Sequence, residues 1–187
     1  MARVGLSGAR LAQAGAELAD DVGFEQVTVS ALARHFGVQV ASLYSHVRSS
    51  DDLKARIATV TLTELADQAA AALAGRAGRD ALHALADVYR DYARTHPGRY
   101  AATRHTAAAS ESYVAAGRRH AELVRAVLRG YDLGEPAQTD AVRLLGSTIH
   151  GYITLELAGS FAHSEPSAGD SWPRIIDALD TLLRSWS

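Results

Sequence analysis

Apolar residues in this chain recur at helical spacing from one end to the other, and no stretch alternates apolar and polar residues long enough to form a half-buried strand. Alanine-rich, leucine-spaced segments are separated by short Gly, Pro and Ser clusters, the punctuation of successive helices. The pattern predicts an all-α protein of about nine helices, with a small N-terminal unit followed by a larger helical bundle. The first helix is expected from Ser7 to Val22, where Leu11, Ala14 and Leu18 share a face and Gly23 stops the turn. Phe24 and Val27 then lead the chain inward.

At 187 residues and 48% hydrophobic, the chain supports a sizeable core but no more than one large and one small domain. It has no Cys, which excludes disulfides, thiolate zinc sites and cysteine nucleophiles and fits a reducing cytoplasm. No basic stretch leads into a long apolar run at the N-terminus, and nothing approaches the roughly 18 apolar residues of a membrane span, so a soluble, unsecreted protein is expected. The net charge of −2 argues against a protein that simply coats nucleic acid. Even Met1 to Arg56 balances Arg3, Arg10, Arg34, Arg48, Lys54 and Arg56 against Glu17, Asp20, Asp21, Glu25, Asp51 and Asp52. Any DNA binding must therefore be local.

The most informative stretch runs from Thr28 to Val47. Two short helices fit it. Thr28 caps the first, whose Leu32, Ala33 and Phe36 face a common core. Gly37 supplies a left-handed residue for the sharp turn, and Val38 plugs the angle between the helices. The second helix, Gln39 to Ser45, turns Leu43 and Val47 inward. That leaves Gln39, Val40, Ala41, Ser42, Tyr44 and His46 on or near the outward face. Amide, hydroxyl, phenol and imidazole groups contact base edges and phosphates, and a small alanine permits close approach to a major groove. Such helix pairs also occur in α-proteins that never touch DNA.

The order Thr-x4-Ala-x3-Gly-Val-x4-Leu-Tyr-x-His-Val, followed at once by Arg48-Ser-Ser-Asp-Asp-Leu53, resembles the DNA-binding signature of the TetR (tetracycline-repressor) family over roughly the first 55 residues. The resemblance places Tyr44 and His46 at positions that meet phosphates and adjacent bases, Thr28 at the start of the first helix of the pair, and Val40, Ala41 and Ser42 at the main base-reading positions. The family commonly has Lys where this chain has Ser50, with Arg48 as a substitute phosphate contact. With the even charge balance, this implies modest non-specific affinity and a shallow salt dependence.

Ser49 caps a fourth helix reaching about Leu73, with Asp51 and Asp52 at the positive end of its dipole. A domain boundary is expected near residue 48. Further helices are expected from Asp80 to Thr95, closed by His96-Pro97-Gly98, from about Arg99 to Ala109, from Ser110 to Arg129, from Pro136 to Phe161 and from Trp172 to Trp186. The last two are apolar around most of their circumference: Leu144, Leu145, Ile149, Ile153, Leu155 and Leu157 in one, and Ile175, Ile176, Leu179, Leu182, Leu183 and Trp186 in the other. Both suit an intermolecular four-helix bundle in a homodimer, and an ordinary monomeric core is the alternative. Ser147 to Phe161, with His150-Gly151 followed by Leu155-Glu-Leu-x-Gly159, resembles a C-terminal domain type of the same family, which implies an effector-binding domain.

Candidate effector-pocket residues are Tyr89, Tyr92, His105, Tyr113, His150 and Tyr152, polar groups on helices of the bundle. Glu156, a carboxylate in an apolar run, requires a partner, a solvent opening or a cationic ligand. No cofactor or metal is expected: the eight His residues are scattered, and no His-x-x-x-His or Glu-x-x-His pair shares a helical face. Ser147 and His150 lie one turn apart but lack a third orienting group and a Gly-x-Ser-x-Gly elbow, so catalysis is not expected. The resemblance implies a ligand-responsive repressor binding a roughly palindromic double-stranded DNA operator. The alternative is a helical interaction module without DNA binding.

Overall fold

The computed structural model describes residues 5–106 and 110–186. Among the described residues there are nine α-helices, two 3-10 turns and no strand. The helices are α1 (Gly8–Val22), α2 (Val29–Phe36), α3 (Val40–Leu43), α4 (Ser50–Leu73), α5 (Gly78–Thr95), α6 (Pro97–Ala102), α7 (Glu111–Leu128), α8 (Glu135–Leu157) and α9 (Ala168–Arg184). They form two compact units, Met1–Glu64 with Thr95–Gly117, and Leu65–Arg94 with Arg118–Ser187. No helix among the described residues is long and apolar enough to cross a membrane.

In the first unit, α1 starts where the Ser7 hydroxyl accepts the Arg10 N–H and ends at Gly23, whose φ of 87° only glycine adopts freely. Its buried face, Leu11, Ala14, Ala16 and Ala19, packs with Phe24, Val27, Val29, Leu32, Leu43, Val47, Leu53 and Ile57 into one core. The inward turn at Phe24 and Val27 is thus present, through a 3-10 turn over Phe24–Gln26.

Helix α6 departs from its expected position. The His96-Pro97-Gly98 cluster closes α5 at Thr95 as expected and also opens α6, two residues before the expected Arg99, because proline at the first helical position needs no N–H partner. The helix ends at Ala102, while the expected end at Ala109 lies outside the described residues. Its first turn is capped from a distance: Asp20 of α1 accepts the Arg99 backbone N–H at 2.9 Å, and His96 lies 3.0 Å from the same carboxylate.

In the second unit, the buried residues include Leu82, Leu85 and Tyr92 of α5, Leu145, Ile149 and Ile153 of α8, and Trp172, Ile176 and Leu183 of α9. Helix α8 stops at Leu157 instead of the expected Phe161. Gly159 at φ 74° sends its N–H to the Glu156 carbonyl while Ser160 reaches back to that of Leu155, a Schellman closure. Helix α9 begins at Ala168, four residues before the expected Trp172, because the Ser167 hydroxyl accepts the Asp170 N–H, and the helix runs on through Pro173 in its interior.

Candidate nucleic-acid interface

Helices α2 and α3 are held by local chemistry. Thr28 stands in extended conformation, and its hydroxyl accepts the Ala31 N–H at 3.1 Å, which starts α2. Gly37 ends it in left-handed conformation (φ 65°, ψ 34°). Its N–H goes to the Arg34 carbonyl and that of Val38 to Ala33, so the turn closes as a second Schellman motif while Val38 packs on the core.

The α3 helix is shorter than the expected Gln39 to Ser45. It covers only Val40–Leu43 and continues as turns through His46. Two serines account for the early loosening: Ser42 Oγ donates to the Gln39 carbonyl at 2.8 Å and Ser45 Oγ to that of Ser42 at 2.7 Å, competing with the helical ladder. Leu43 and Val47 anchor the segment in the core, at 0% and 2% exposure. The same register leaves Gln39, Val40, Ala41, Ser42 and Tyr44 exposed and His46 half-buried. Tyr44 presents 52% of its surface, a large ring with no use in the core. Thr28 lies at the exposed start of α2.

Arg48 is exposed but not free. Its backbone N–H and its guanidinium both donate to Asp52, at 2.9 and 3.2 Å, and Arg56 Nε adds a third bond to that carboxylate at 3.1 Å. Burial works against the Asp52 charge, but the bonds from Arg48 and Arg56 prevail and hold its carboxyl below the ordinary aspartate range. Lys54 is paired with Glu25. These carboxylate partners were not anticipated from the sequence, although for Asp52 the four-residue spacing to Arg48, just before α4, and to Arg56 within it is the available signal.

Of the candidate effector residues, Tyr89, Tyr92, His150, Tyr152 and Glu156 belong to the second unit, and His105 and Tyr113 to the first. Tyr113 donates its hydroxyl to the His105 carbonyl at 2.5 Å, and the His105 ring packs edge-on against Phe24. Tyr89 is hydrogen-bonded to His120, and its hydroxyl pKa is pushed up by burial. Tyr92 is buried, and His150 is half-buried on α8.

Glu156 has found a partner. Arg90 grips it with two bonds, Nε–Oε2 at 2.8 Å and Nη2–Oε1 at 2.6 Å, which hold the carboxylate low and the guanidinium high in pKa. The guanidinium also lies 5.2 Å from the Trp172 ring centroid. Tyr152 stacks at a tilt between Trp172 and Phe161, and its hydroxyl donates to the Ala168 carbonyl at 2.7 Å. Arg90 was missed in the sequence. Its position on the buried stripe of α5, four residues after Ala86 and three before Ala93, was the available signal.

The fold and this surface define an all-helical, helix-turn-helix protein with a second helical unit. Residues 11–57 match the family described as bacterial regulatory proteins, tetR family, and residues 82–179 match the tetracyclin repressor-like C-terminal domain. The chain belongs to the TetR family. It is 38% identical over 143 residues to the Uncharacterized HTH-type transcriptional regulator Rv0681 of Mycobacterium tuberculosis, a match covering 75% of this chain and 65% of that relative, less than two thirds of its length. The Uncharacterized HTH-type transcriptional regulator YobS of Bacillus subtilis is 29% identical over 184 residues, covering 98% of this chain and 92% of its own. A solved structure of a TetR variant from Acinetobacter baumannii AYE in complex with minocycline superposes with a TM-score of 0.71 at 19% identity, over 95% of this chain and 96% of that one. At that identity the likeness shows the fold.

Proposed function

We propose that this protein is a homodimeric, cytoplasmic transcriptional repressor, with residues 1–48 reading a palindromic DNA operator and residues 49–187 carrying dimerisation and a small-molecule effector site. The observation that carries this reading is the outward display on α3. Gln39, Val40, Ala41, Ser42 and Tyr44 are exposed on a segment that Leu43 and Val47 pin to the core. Val40, Ala41 and Ser42 meet base edges, with the Ser42 lone pairs accepting once its proton is donated to the Gln39 carbonyl. Thr28, Gln39, Tyr44 and His46 meet phosphates and flanking bases, and Arg48 lies at the rim of the same surface. Two copies related by dimer symmetry occupy successive major grooves, which sets the palindrome. The effector reading rests on the aromatic group around Arg90 and Glu156, where Tyr152, Phe161 and Trp172 gather, and on the ligand-bound relative of the same fold. Ligand and operator affinities are then reciprocally coupled.

The test is a fluorescence-anisotropy titration with DNA selected by the protein, comparing wild type with Tyr44→Ala. Tyr44 is exposed, so the mutant keeps its melting temperature while losing about tenfold or more in affinity, in line with the about 1–3 kcal/mol carried by a good contact. No selectable site, or unchanged binding in the mutant, moves the assignment to an interaction module without DNA binding.

A further inference from the structure

We propose that Asp52 is a built-in competitor of DNA phosphate, an intramolecular anion that occupies Arg48 and keeps the affinity of the reading surface low. The inference rests on the DNA-binding function proposed above.

Arg48 directly follows Val47, the last anchor of the reading segment, and its side chain is 86% exposed, so it is placed to meet the backbone of any duplex that α3 enters. Its charge is already engaged. Asp52 sits one helical turn further on with its side chain only 11% exposed. It accepts the Arg48 N–H, the Arg48 guanidinium and Arg56 Nε together. Three donors converging on one nearly buried carboxylate fix it in place, whereas a surface ion pair between two mobile side chains costs entropy to order. A phosphate approaching Arg48 must displace this carboxylate or share the guanidinium with it. Either way the exchange is anion for anion and forfeits much of the counterion release that drives protein–DNA association.

Other cations of this unit are engaged as well. Lys54 is paired with Glu25 at 2.5 Å, Arg56 with Asp52, and Arg99 with Asp20 and Glu64. Ser50, where the family commonly has Lys, brings no charge. Asp52 also has a local role that needs an acceptor but no charge, since its oxygen receives the Arg48 backbone N–H beside the Ser49 cap of α4. A neutral side chain with an acceptor oxygen therefore separates the structural role from the electrostatic one.

The experiment titrates wild type, Asp52→Asn and Asp52→Asn/Arg48→Gln against a random-sequence duplex of about 30 base pairs across a fourfold salt range, with thermal melts alongside. Asp52→Asn unpairs both Arg48 and Arg56; of the two, Arg48 stands at the rim of the reading surface, so the phosphate contact it gains steepens the slope of log K against log salt by about 0.9 per protomer, or about 1.8 per dimer. Over that salt range this is about a tenfold additional gain at the low-salt end. The double mutant returns to the wild-type slope. Should Asp52→Asn fail to fold, Asp52→Ser keeps an acceptor oxygen without the charge and carries the same expectation. If wild type binds DNA but removal of the charge changes neither slope nor affinity, or if the gain survives in the double mutant, the proposal is overturned and the function reading stands. If neither wild type nor the charge-removed variant binds any duplex, the function reading falls and the proposal with it.

Discussion

Asp20 Oδ1 accepts the backbone N–H of Arg99 at 2.9 Å, so a carboxylate at the end of α1 supplies the N-terminal cap of α6. The two helices touch at backbone distance beside this bond. A Cβ added to Gly98 would lie 1.8 Å from the Ala19 carbonyl oxygen and 2.6 Å from the Asp20 nitrogen. Neither atom can rotate away, as both are main chain. Gly98→Ala is therefore expected to force α6 off α1 and destabilise the fold by about 1–3 kcal/mol or more, the range of overpacked cores. Urea unfolding checks this, and an unchanged midpoint would refute the close approach.

Glu156 and Arg90 form a largely buried pair, with side chains 17% and 10% exposed. Truncating one partner leaves the other charge without compensation, so Glu156→Gln is expected to cost about 3–5 kcal/mol. Replacing both by apolar residues of similar volume recovers most of that loss, since a buried ion pair repays little beyond its own desolvation. A denaturation series on the two variants and wild type separates these outcomes.

Acid should weaken this protein through identifiable carboxylates. Asp52 and Asp180 are held low against the opposing effect of burial by Arg48 and Arg56, and by Arg184 and Tyr131, respectively, and Glu156 is held low chiefly by Arg90. In each case the folded pKa lies below the unfolded value of about 3.9 for Asp or 4.3 for Glu. The unfolded chain thus takes up protons first, and stability that is full near neutrality is lost as pH falls from about 5 through the folded values. At the alkaline end the sign reverses. Burial raises the phenols of Tyr89 and Tyr131, so their contribution is complete below about pH 10 and declines above it. Melting temperatures recorded from pH 3 to 11 should show both shoulders, with the acid one shallower in Glu156→Gln.

The proposed dimer has a surface to use. Leu155 and Leu157 of α8 are 48% and 42% exposed, Leu182 of α9 is 40% exposed, and Trp186, just beyond α9, is 38% exposed. A second copy covering these residues explains why both helices carry apolar side chains beyond what their own core buries. Leu155→Arg with Leu182→Arg is expected to convert a dimer to a folded monomer, read by light scattering with circular dichroism as the control. A monomeric wild type at micromolar concentration would remove the dimer from the proposed function.

What could be read from the sequence is what short-range chemistry decides. Thr28 caps a residue three positions on, Gly37 takes a conformation that other residues avoid, and Leu43 and Val47 return to the core at helical spacing. The outward display on α3 follows from these. Where side chains compete with the ladder, as Ser42 and Ser45 do, the helix came out shorter than its periodicity suggested. Tertiary structure alone decided the rest. The cap of α6 comes from Asp20, 79 positions from Arg99, so the His96-Pro97-Gly98 cluster that ends α5 also starts a helix. The partner of Glu156 lies 66 positions away on α5. A carboxylate buried among apolar residues announces that it needs a counter-charge, but not which one, because the pairing is set by how helices distant in sequence pack, and no local spacing encodes that.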